Sequence, residues 1–410
     1  TINTTNGGVL RATNNSASHL DATTVNGTLN LGTGNLTISG DYTNAGAGTG
    51  NAFDRRAGIS GAGQIVAAAD AAQAITGANV TNGASPNATL TIGNVRVGAT
   101  TFDYQVANTG STGPALRGAI QTTVNGANLT DARLSASGVT AANYNAGGPG
   151  ANSGDQAVTF TAATAGALAL LAGQVLNLRS NFENIGDQKL KIVLDTGAAA
   201  FNAAVGSVTP APANVANQRV GGNNATALTI ANTAATGAYS EDLNASVSGS
   251  SGNAGFSGAG SVGGLLAGAS NNSAVGVNVD TTSAGAKAGT VTLAYQTAGT
   301  INGVSNGHGT ASVGSDVVNV SGNVYQAAAG AIQSPALNFG TVQVGQLVTQ
   351  NLVIRNTATG AAGFVEDLNA SFGASTGTGA GLISGSGSLN GILAGTNSTA
   401  GNGGMTVSVN

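Results

Sequence analysis

The sequence reads Ser-Glu-Asp-Leu-Asn-Ala-Ser at residues 240–246 and Val-Glu-Asp-Leu-Asn-Ala-Ser at residues 365–371. The likeness extends in both directions through three paired segments, which are Ile230–Thr233 with Ile354–Thr357, Gly264–Gly268 with Gly391–Gly395, and Val275–Asp280 with Met405–Asn410. Similarity at a fixed period is the signature of a repeat architecture. The chain therefore contains copies of one structural unit.

A third, weaker copy lies upstream. Leu90–Gly98 mirrors Leu337–Gly345, and Tyr104–Thr109 aligns with Leu352–Thr357. The period is about 124 residues, the length of one small domain. These matches predict three tandem modules, at residues 85–206, 207–328 and 329–410, the last of them incomplete.

Each module has the pattern of an all-β fold. Short apolar runs such as Val175–Leu178, Val291–Tyr295 and Val317–Val320 are separated by Gly, Asn and Ser clusters. Leu190–Leu194 alternates with period two, as a strand with one buried face does. We predict tandem immunoglobulin-like β-sandwiches of about seven strands each. The chain contains no Cys and no Trp, so the Cys–Trp–Cys core of antibody domains is missing.

The first 84 residues differ from the modules. Brief strands are predicted at Val25–Leu31, Leu36–Ile38 and Ile65–Val66, with Asn, Gly and Thr turns between them. Stacked rungs of a short β-solenoid are the simplest account of this segment. The Ala-rich run Ile65–Ile75 leaves a short helix as an alternative.

The composition excludes several classes of function. Of the 410 residues only 7% are charged, the net charge is −4, and there are two His and no Cys. These values argue against disulfide scaffolds, zinc or iron–sulfur sites, and Cys–His catalysis. Without a basic surface, nucleic acid and anionic membranes are poor partners. We expect no enzyme and no cofactor, and an apolar fraction of 41% argues against disorder.

Several segments of the chain resemble a known family. Leu31–Tyr42 resembles the solenoid of secreted bacterial autotransporter-type proteins. With Asn51–Gly58 and the Asn-Thr and Glu-Asp-Leu-Asn-Ala repeats, the chain is similar to the choice-of-anchor D family. The resemblance implies export from a bacterium, immunoglobulin-like modules and display outside the cell or on its surface. It implies no agreed biochemical activity.

The third module is shorter than the second, which continues from Asp280 to Tyr325. Either the natural chain continues, which we favour, or another subunit supplies the missing strands by β-augmentation. Met405, Val407 and Val409 are the predicted subunit joint, because their apolar faces are expected to lack partners.

Four acids form the two adjacent pairs that recur in the repeat. Glu241 with Asp242, and Glu366 with Asp367, are weak candidates for a Ca²⁺ site, which requires six to eight oxygen ligands. A solvated turn, in which a carboxylate accepts backbone N–H bonds, is the favoured interpretation. Arg55 and Arg56 are either a protease target or part of a loop salt bridge with Asp54, which is the favoured interpretation.

Two sequence motifs match enzyme signatures in letters alone. Residues 303–307 read Gly-Val-Ser-Asn-Gly before His308, but a nucleophile elbow needs a following helix, and we predict a loop. Residues 258–263 match the Gly-rich dinucleotide fingerprint without a βαβ unit. His19 and His308 are expected to be surface residues.

Because no catalytic site is predicted, we expect this protein to function through assembly. With so little charge, sheet edges lack the electrostatic protection that keeps strands apart. We predict a structural subunit of an extracellular bacterial filament or surface layer, a homopolymer joined by β-strand pairing and module packing. The alternative is a modular cell-surface adhesin or stalk, of which this chain is a fragment.

Overall fold

The computed structural model describes residues 10–12, 29–42, 47–84, 87–137 and 144–410. The chain divides into two compact units. Unit 1 is Thr1–Ala203 with Gly237–Ser240 and Asn306–His308, and unit 2 is the remainder. The described residues form β-strands and three single-turn 3-10 helices, Gly50–Ala52, Ala380–Leu382 and Ala400–Asn402. The predicted all-β fold class is confirmed.

The strands of unit 1 are β1 (Leu10–Ala12), β2 (Leu29–Asn30), β3 (Leu36–Ile38), β4 (Ile59–Ser60), β5 (Ile65–Ala67), β6 (Gln73–Thr76), β7 (Val80–Asn82), β8 (Asn87–Ile92), β9 (Val95–Arg96), β10 (Gly98–Asn108), β11 (Leu116–Gln121), β12 (Leu134–Ala136), β13 (Tyr144–Gly147), β14 (Gln156–Ala162), β15 (Gly166–Ala167), β16 (Val175–Ser180), β17 (Gln188–Leu194) and β18 (Ala199–Phe201).

The first strands pair in parallel. β1, β3 and β5 form one sheet in which Leu36 is paired with both Leu10 and Ile65, and β2 pairs with β4. The Ala-rich run contains strands β5 and β6, so the alternative of a helix there is wrong.

Two sheets face each other in the next part of unit 1, which we call sandwich 1 (strands β6–β18). One has the order β6-β10-β14-β12 and the other β7-β8-β17-β16-β11-β13, with β8 parallel to β17. Strands β6 and β7 lie before residue 85, where the sequence analysis placed the start of the first module. Their few apolar residues gave little strand signal. In β17 Leu190 and Ile192 are buried while Lys191 and Val193 are exposed, so the predicted alternation is confirmed.

The strands of unit 2 are β19 (Gly206–Thr209), β20 (Ala213–Asn214), β21 (Gln218–Arg219), β22 (Thr226–Asn232), β23 (Leu243–Gly252), β24 (Ala254–Gly258), β25 (Ser261–Leu265), β26 (Ser270–Val279), β27 (Gly285–Thr297), β28 (Thr300–Ile301), β29 (Val304–Ser305), β30 (Ala311–Tyr325), β31 (Gly330–Ile332), β32 (Val348–Asn351), β33 (Ile354–Asn356), β34 (Leu368–Ser371), β35 (Ile383–Ile392) and β36 (Gly403–Val409).

Sandwich 2 (strands β19–β30) repeats the strand order of sandwich 1. Its sheets are β19-β22-β26-β24 and β20-β30-β27-β23-β25, and β20 and β21 pair in parallel with β30. Leu228 and Val277 of the first sheet share one buried cluster with Val291, Leu293 and Val320 of the second. The apolar sides of the two sheets therefore form the core.

The third repeat, strands β31–β36, is a half-sandwich. One sheet has the order β32-β36-β35-β34, and β31 pairs with β33. Among the described residues no strand corresponds to β27 or β30 of sandwich 2. The buried cluster is small and consists of Ile354, Leu389, Ile392 and Met405.

Candidate functional site

A buried asparagine, followed by a threonine, occupies the same place in all three repeats. Asn232 ends β22, and its amide donates to the carbonyl oxygens of Glu241 and Leu265, both at 3.0 Å. Its Oδ1 accepts the N–H groups of Val205 and Ala234 at 3.1 and 3.2 Å. One side chain thus satisfies four backbone groups, which buried backbone requires.

Asn356 makes the equivalent four bonds in the half-sandwich. It donates to the carbonyls of Glu366 and Ile392, and it accepts the N–H groups of Ala329 and Ala358. In sandwich 1, Asn108 donates to the carbonyls of Pro114 and Gly147. The weak first copy that the sequence indicated therefore shares a hydrogen-bond network with the other two.

Asp242 organises a loop of sandwich 2. Its carboxylate accepts the Thr300 hydroxyl at 2.7 Å and the N–H groups of Asn302 and Gly303 at 3.1 and 2.9 Å. Asn302 and Gly303 both have positive φ, as the two-residue turn between β28 and β29 requires. The carboxylate therefore holds a tight hairpin against the start of β23.

Glu241 and Asp242 are both buried, Glu241 with none of its surface exposed. The Glu241 carboxylate accepts a hydrogen bond from the Thr297 hydroxyl at the end of β27. The expected carboxylate acceptor is present in Asp242, but the expectation that the turn is solvated is wrong for this pair. Strand β27 and the β28–β29 hairpin supply the donors and exclude the solvent.

The second acid pair lies in a different environment. Glu366 forms an ion pair with Arg219 at 2.8 Å, and that hydrogen bond lowers the pKa of the Glu366 carboxyl. Asp367 is exposed and borders a shallow hollow of about 470 Å³ that small residues line. Across the described ranges, no three side chains among His, Cys, Asp and Glu converge as a metal site would require.

The three residues of the predicted joint lie on β36. Met405 is buried, so the expectation that it lacks apolar partners is wrong. Val407 and Val409 are half-buried and face the same side as Met405. Strand β36 pairs with β32 on one side and with β35 on the other, and its edges are occupied. Their role in subunit contact stays a prediction.

The edge strands of this sheet are β32 and β34. In the part of the chain that the structure describes, β34 pairs only with β35, whereas its counterpart β23 pairs with both β25 and β27. Ile332 of β31 is 65% exposed, while Val208, its counterpart in β19, is 7% exposed. The half-sandwich thus presents an uncovered apolar face beside an unpaired strand edge.

The Gly-Val-Ser-Asn-Gly motif lies on and after the β28–β29 hairpin. Ser305 is the last residue of β29, and the next element along the chain is strand β30 instead of a helix. His308 is half-buried, with its ring 6.2 Å from that of Phe201, so the expectation of a surface histidine is wrong. His19 lies outside the described residues. Gly258 and Gly260 lie where the chain passes from β24 to β25.

The two arginines near the start of the chain have long-range partners. Arg55 pairs with Asp187 at 3.3 Å, and Arg56 pairs with Glu183 at 2.9 Å. Asp54 accepts the backbone N–H of Arg56 instead of its guanidinium. The expected ion pair with Asp54 is therefore wrong, because the fold brings acids more than a hundred residues away to this loop.

No family model matches the chain, and no curated protein does. Among solved structures it is similar to the IG1+IG2 segment of DIP-gamma, at 12% identity over 62% of this chain and 97% of that one, with a TM-score of 0.15. The protocadherin gammaB4 extracellular domain matches at 10% identity over 68% of this chain and 37% of that one, with a TM-score of 0.21. Domains 1–4 of protocadherin gamma B7 match at 10% over 80% and 67%, with a TM-score of 0.22.

Within the described residues, no helix has the length and apolar character needed to cross a membrane.

Proposed function

We propose that this chain is a structural subunit of an extracellular filament or surface layer, assembled through β-strand pairing at the half-sandwich. The observation that carries the proposal is the open edge of β34 in the described residues, together with the exposed Ile332 and the only partly buried Val407 and Val409. An unpaired edge is a template for pairing with another strand, and an apolar face beside it gives the added strand something to pack on.

The surface of the sheets supports the same function. The outward face of the half-sandwich sheet carries cross-strand hydroxyl pairs, as between Thr349 and Ser408 at 2.9 Å and between Ser386 and Thr406 at 2.9 Å. Native sheet proteins usually blunt their edges with charged residues. A polymer subunit has no need of that protection, because its edges are joints.

The wider architecture belongs to the same proposal. We assign immunoglobulin-like folds to the two sandwiches. In sandwich 2, the sheet β19-β22-β26-β24 has the strand order of the four-stranded immunoglobulin sheet, and β23, β27 and β30 lie together in the opposite sheet. We assign the start of the chain to a β-solenoid, because β1, β3 and β5 stack in parallel. The family resemblance supports export from a bacterium and attachment to its surface.

The test is a pair of lysine substitutions on β36. Val407→Lys places a charge on the uncovered face, and Thr406→Lys places the same charge one residue away on the opposite face. Polymerisation of the full chain is followed by sedimentation and negative-stain electron microscopy. Circular dichroism is the control that checks whether both variants keep their β-strands.

We expect Val407→Lys to abolish polymer formation and Thr406→Lys to preserve it. Polymers of normal amount and shape from the Val407→Lys chain would exclude assembly through this face. A wild-type chain that stays monomeric at all concentrations would also refute the proposal.

The second candidate function is a modular stalk or adhesin. The aromatic contact that recurs along the chain (Phe201 with Tyr239, Tyr325 with Phe364) favours it, because spacing a tip from a cell requires a regular joint. Intact mass of the protein from its native source separates the two candidates. A mass near 39.0 kDa favours the subunit, and a much larger mass favours the stalk.

A further inference from the structure

A loop of the half-sandwich contacts the end of β30 in unit 2. The rings of Tyr325 and Phe364 lie 5.6 Å apart at an angle of 40°. The N–H of Gln326 donates to the carbonyl of Phe364 at 2.8 Å, and the N–H of Glu366 donates to the carbonyl of Gln326 at 3.0 Å. One aromatic pair and two backbone bonds therefore join the last strand of sandwich 2 to the repeat that follows.

Neighbouring residues fit the same contact. Arg219 is paired with Tyr325 across β21 and β30, and its side chain reaches Glu366. At Gly360 an added Cβ would lie 2.9 Å from the Val365 side chain and 3.5 Å from that of Gln326. The loop from Gly360 to Val365 thus depends on a small residue at its start to approach the strand end closely.

The same contact recurs within unit 1. Phe201, at the end of β18, and Tyr239 have ring centroids 5.9 Å apart at an angle of 45°. The N–H of Asn202 donates to the carbonyl of Tyr239 at 2.8 Å. Asn202 and Ser240 form an isolated parallel bridge, as Gln326 and Val365 do in unit 2. Phe201 and Tyr325 are separated by about one repeat length, and so are Tyr239 and Phe364.

We propose that the loop of residues 360–365 is a docking loop. Its partner is the end of a β30-type strand, with an aromatic residue followed by one that exposes its backbone N–H and carbonyl. The partner is identified by two occurrences of one chemistry. Both the strand end and the loop accept either Phe or Tyr, because Phe201 contacts Tyr239 and Tyr325 contacts Phe364. In both occurrences the loop contacts the end of the last strand of the preceding repeat.

This docking loop is independent of the proposed assembly face. It contacts the end of β30, while the proposed assembly surface consists of the open edge of β34 and the apolar side of β36. The docking loop is tested by distances within one chain, and the assembly proposal is tested by polymerisation. Either proposal can therefore fail while the other holds.

The experiment uses spin labels at two exposed positions, Ser250→Cys in sandwich 2 and Ser384→Cys in the half-sandwich. The chain has no Cys, so both labels are unique. Labelled chains are diluted into unlabelled ones, and the distance distribution is measured by pulsed electron paramagnetic resonance. We compare the labelled wild type with Phe364→Ala, Phe364→Tyr and Gln326→Pro.

We expect Phe364→Ala and Gln326→Pro to broaden the distribution at least twofold and Phe364→Tyr to leave it unchanged. Gln326→Pro removes the N–H that donates to Phe364 without altering a core residue, so it separates loss of docking from loss of folding. Unchanged widths in both disruptive variants overturn the proposal. A Phe364→Tyr chain as broad as Phe364→Ala also overturns it, because Tyr occupies the equivalent position in unit 1.

Discussion

Sandwich 2 and the half-sandwich carry the same motif and bury it differently. Asn232 and Asn356 make the same four backbone hydrogen bonds. Yet Val277 has no exposed surface, while its counterpart Val407 is only partly buried. Short-range hydrogen bonding thus survives without a facing sheet, whereas burial of the strand's apolar side depends on β27 and β30.

The largest expected effect tests whether the shared network is equivalent in the two repeats. Asn232→Ala leaves two carbonyls and two N–H groups without partners. Each buried unpaired group costs about 1–3 kcal/mol, so we expect a loss of about 3 kcal/mol or more in the free energy of unfolding. Asn356→Ala should destabilise the half-sandwich by a similar amount. Urea unfolding measures both.

Thr229→Ala, on the same strand and half-buried, is the control and should change the free energy by no more than about 0.5 kcal/mol. A loss at Asn232 that is several times the loss at Asn356 would break the equivalence of the two networks.

The second-largest expected effect concerns core packing in sandwich 2 and in the half-sandwich. Val277→Ala opens a cavity between two sheets, and we expect it to cost about 2 kcal/mol. Val407→Ala should cost less than half as much in unassembled chains, because its side chain already contacts solvent. Urea unfolding at low protein concentration measures the difference. Equal losses would mean that the face of β36 is already covered in solution.

The acid pairs offer a smaller contrast. Asp242→Asn replaces one of the two accepting carboxylate oxygens by an amide nitrogen, which donates and cannot accept, and we expect a loss of about 1–2 kcal/mol. Asp367→Asn, at the exposed equivalent position, should stay within about 0.5 kcal/mol of the wild type. Thermal unfolding compares the two. A large effect at Asp367 would indicate a bound partner at that carboxylate.

The smallest effect concerns pH. Arg219 lowers the pKa of Glu366 in the folded chain, so the ion pair stabilises the fold above the ordinary Glu pKa, and this contribution is lost as the pH falls through the lowered value. Melting temperatures of Glu366→Gln and wild type should converge in acid and separate slightly near neutrality. Arg219→Gln should behave like Glu366→Gln. A constant gap between wild type and Glu366→Gln at every pH would exclude the ion pair as its cause.

Much of the fold could be predicted from residue patterns. Alternation in β17 and the apolar runs of β16, β27 and β30 led directly to strands, because side chains on a strand point to opposite faces in turn. The 124-residue period located the Asn-Thr pairs of all three repeats. Strands β6 and β7 were missed, since short strands with few apolar residues carry little periodic signal.

The sequence by itself determined many of the strands, the repeat and the recurring Asn-Thr pair, because these depend on local alternation and on motifs a few residues long. Only the tertiary structure decided that Glu241 is buried under Thr297 while Glu366 reaches Arg219, and that Arg55 and Arg56 find acids in another part of unit 1. Those outcomes depend on which strand lies opposite. Burial depends on the facing surface, and the same six residues, Glu-Asp-Leu-Asn-Ala-Ser, have such a surface in sandwich 2 and lack it in the described half-sandwich.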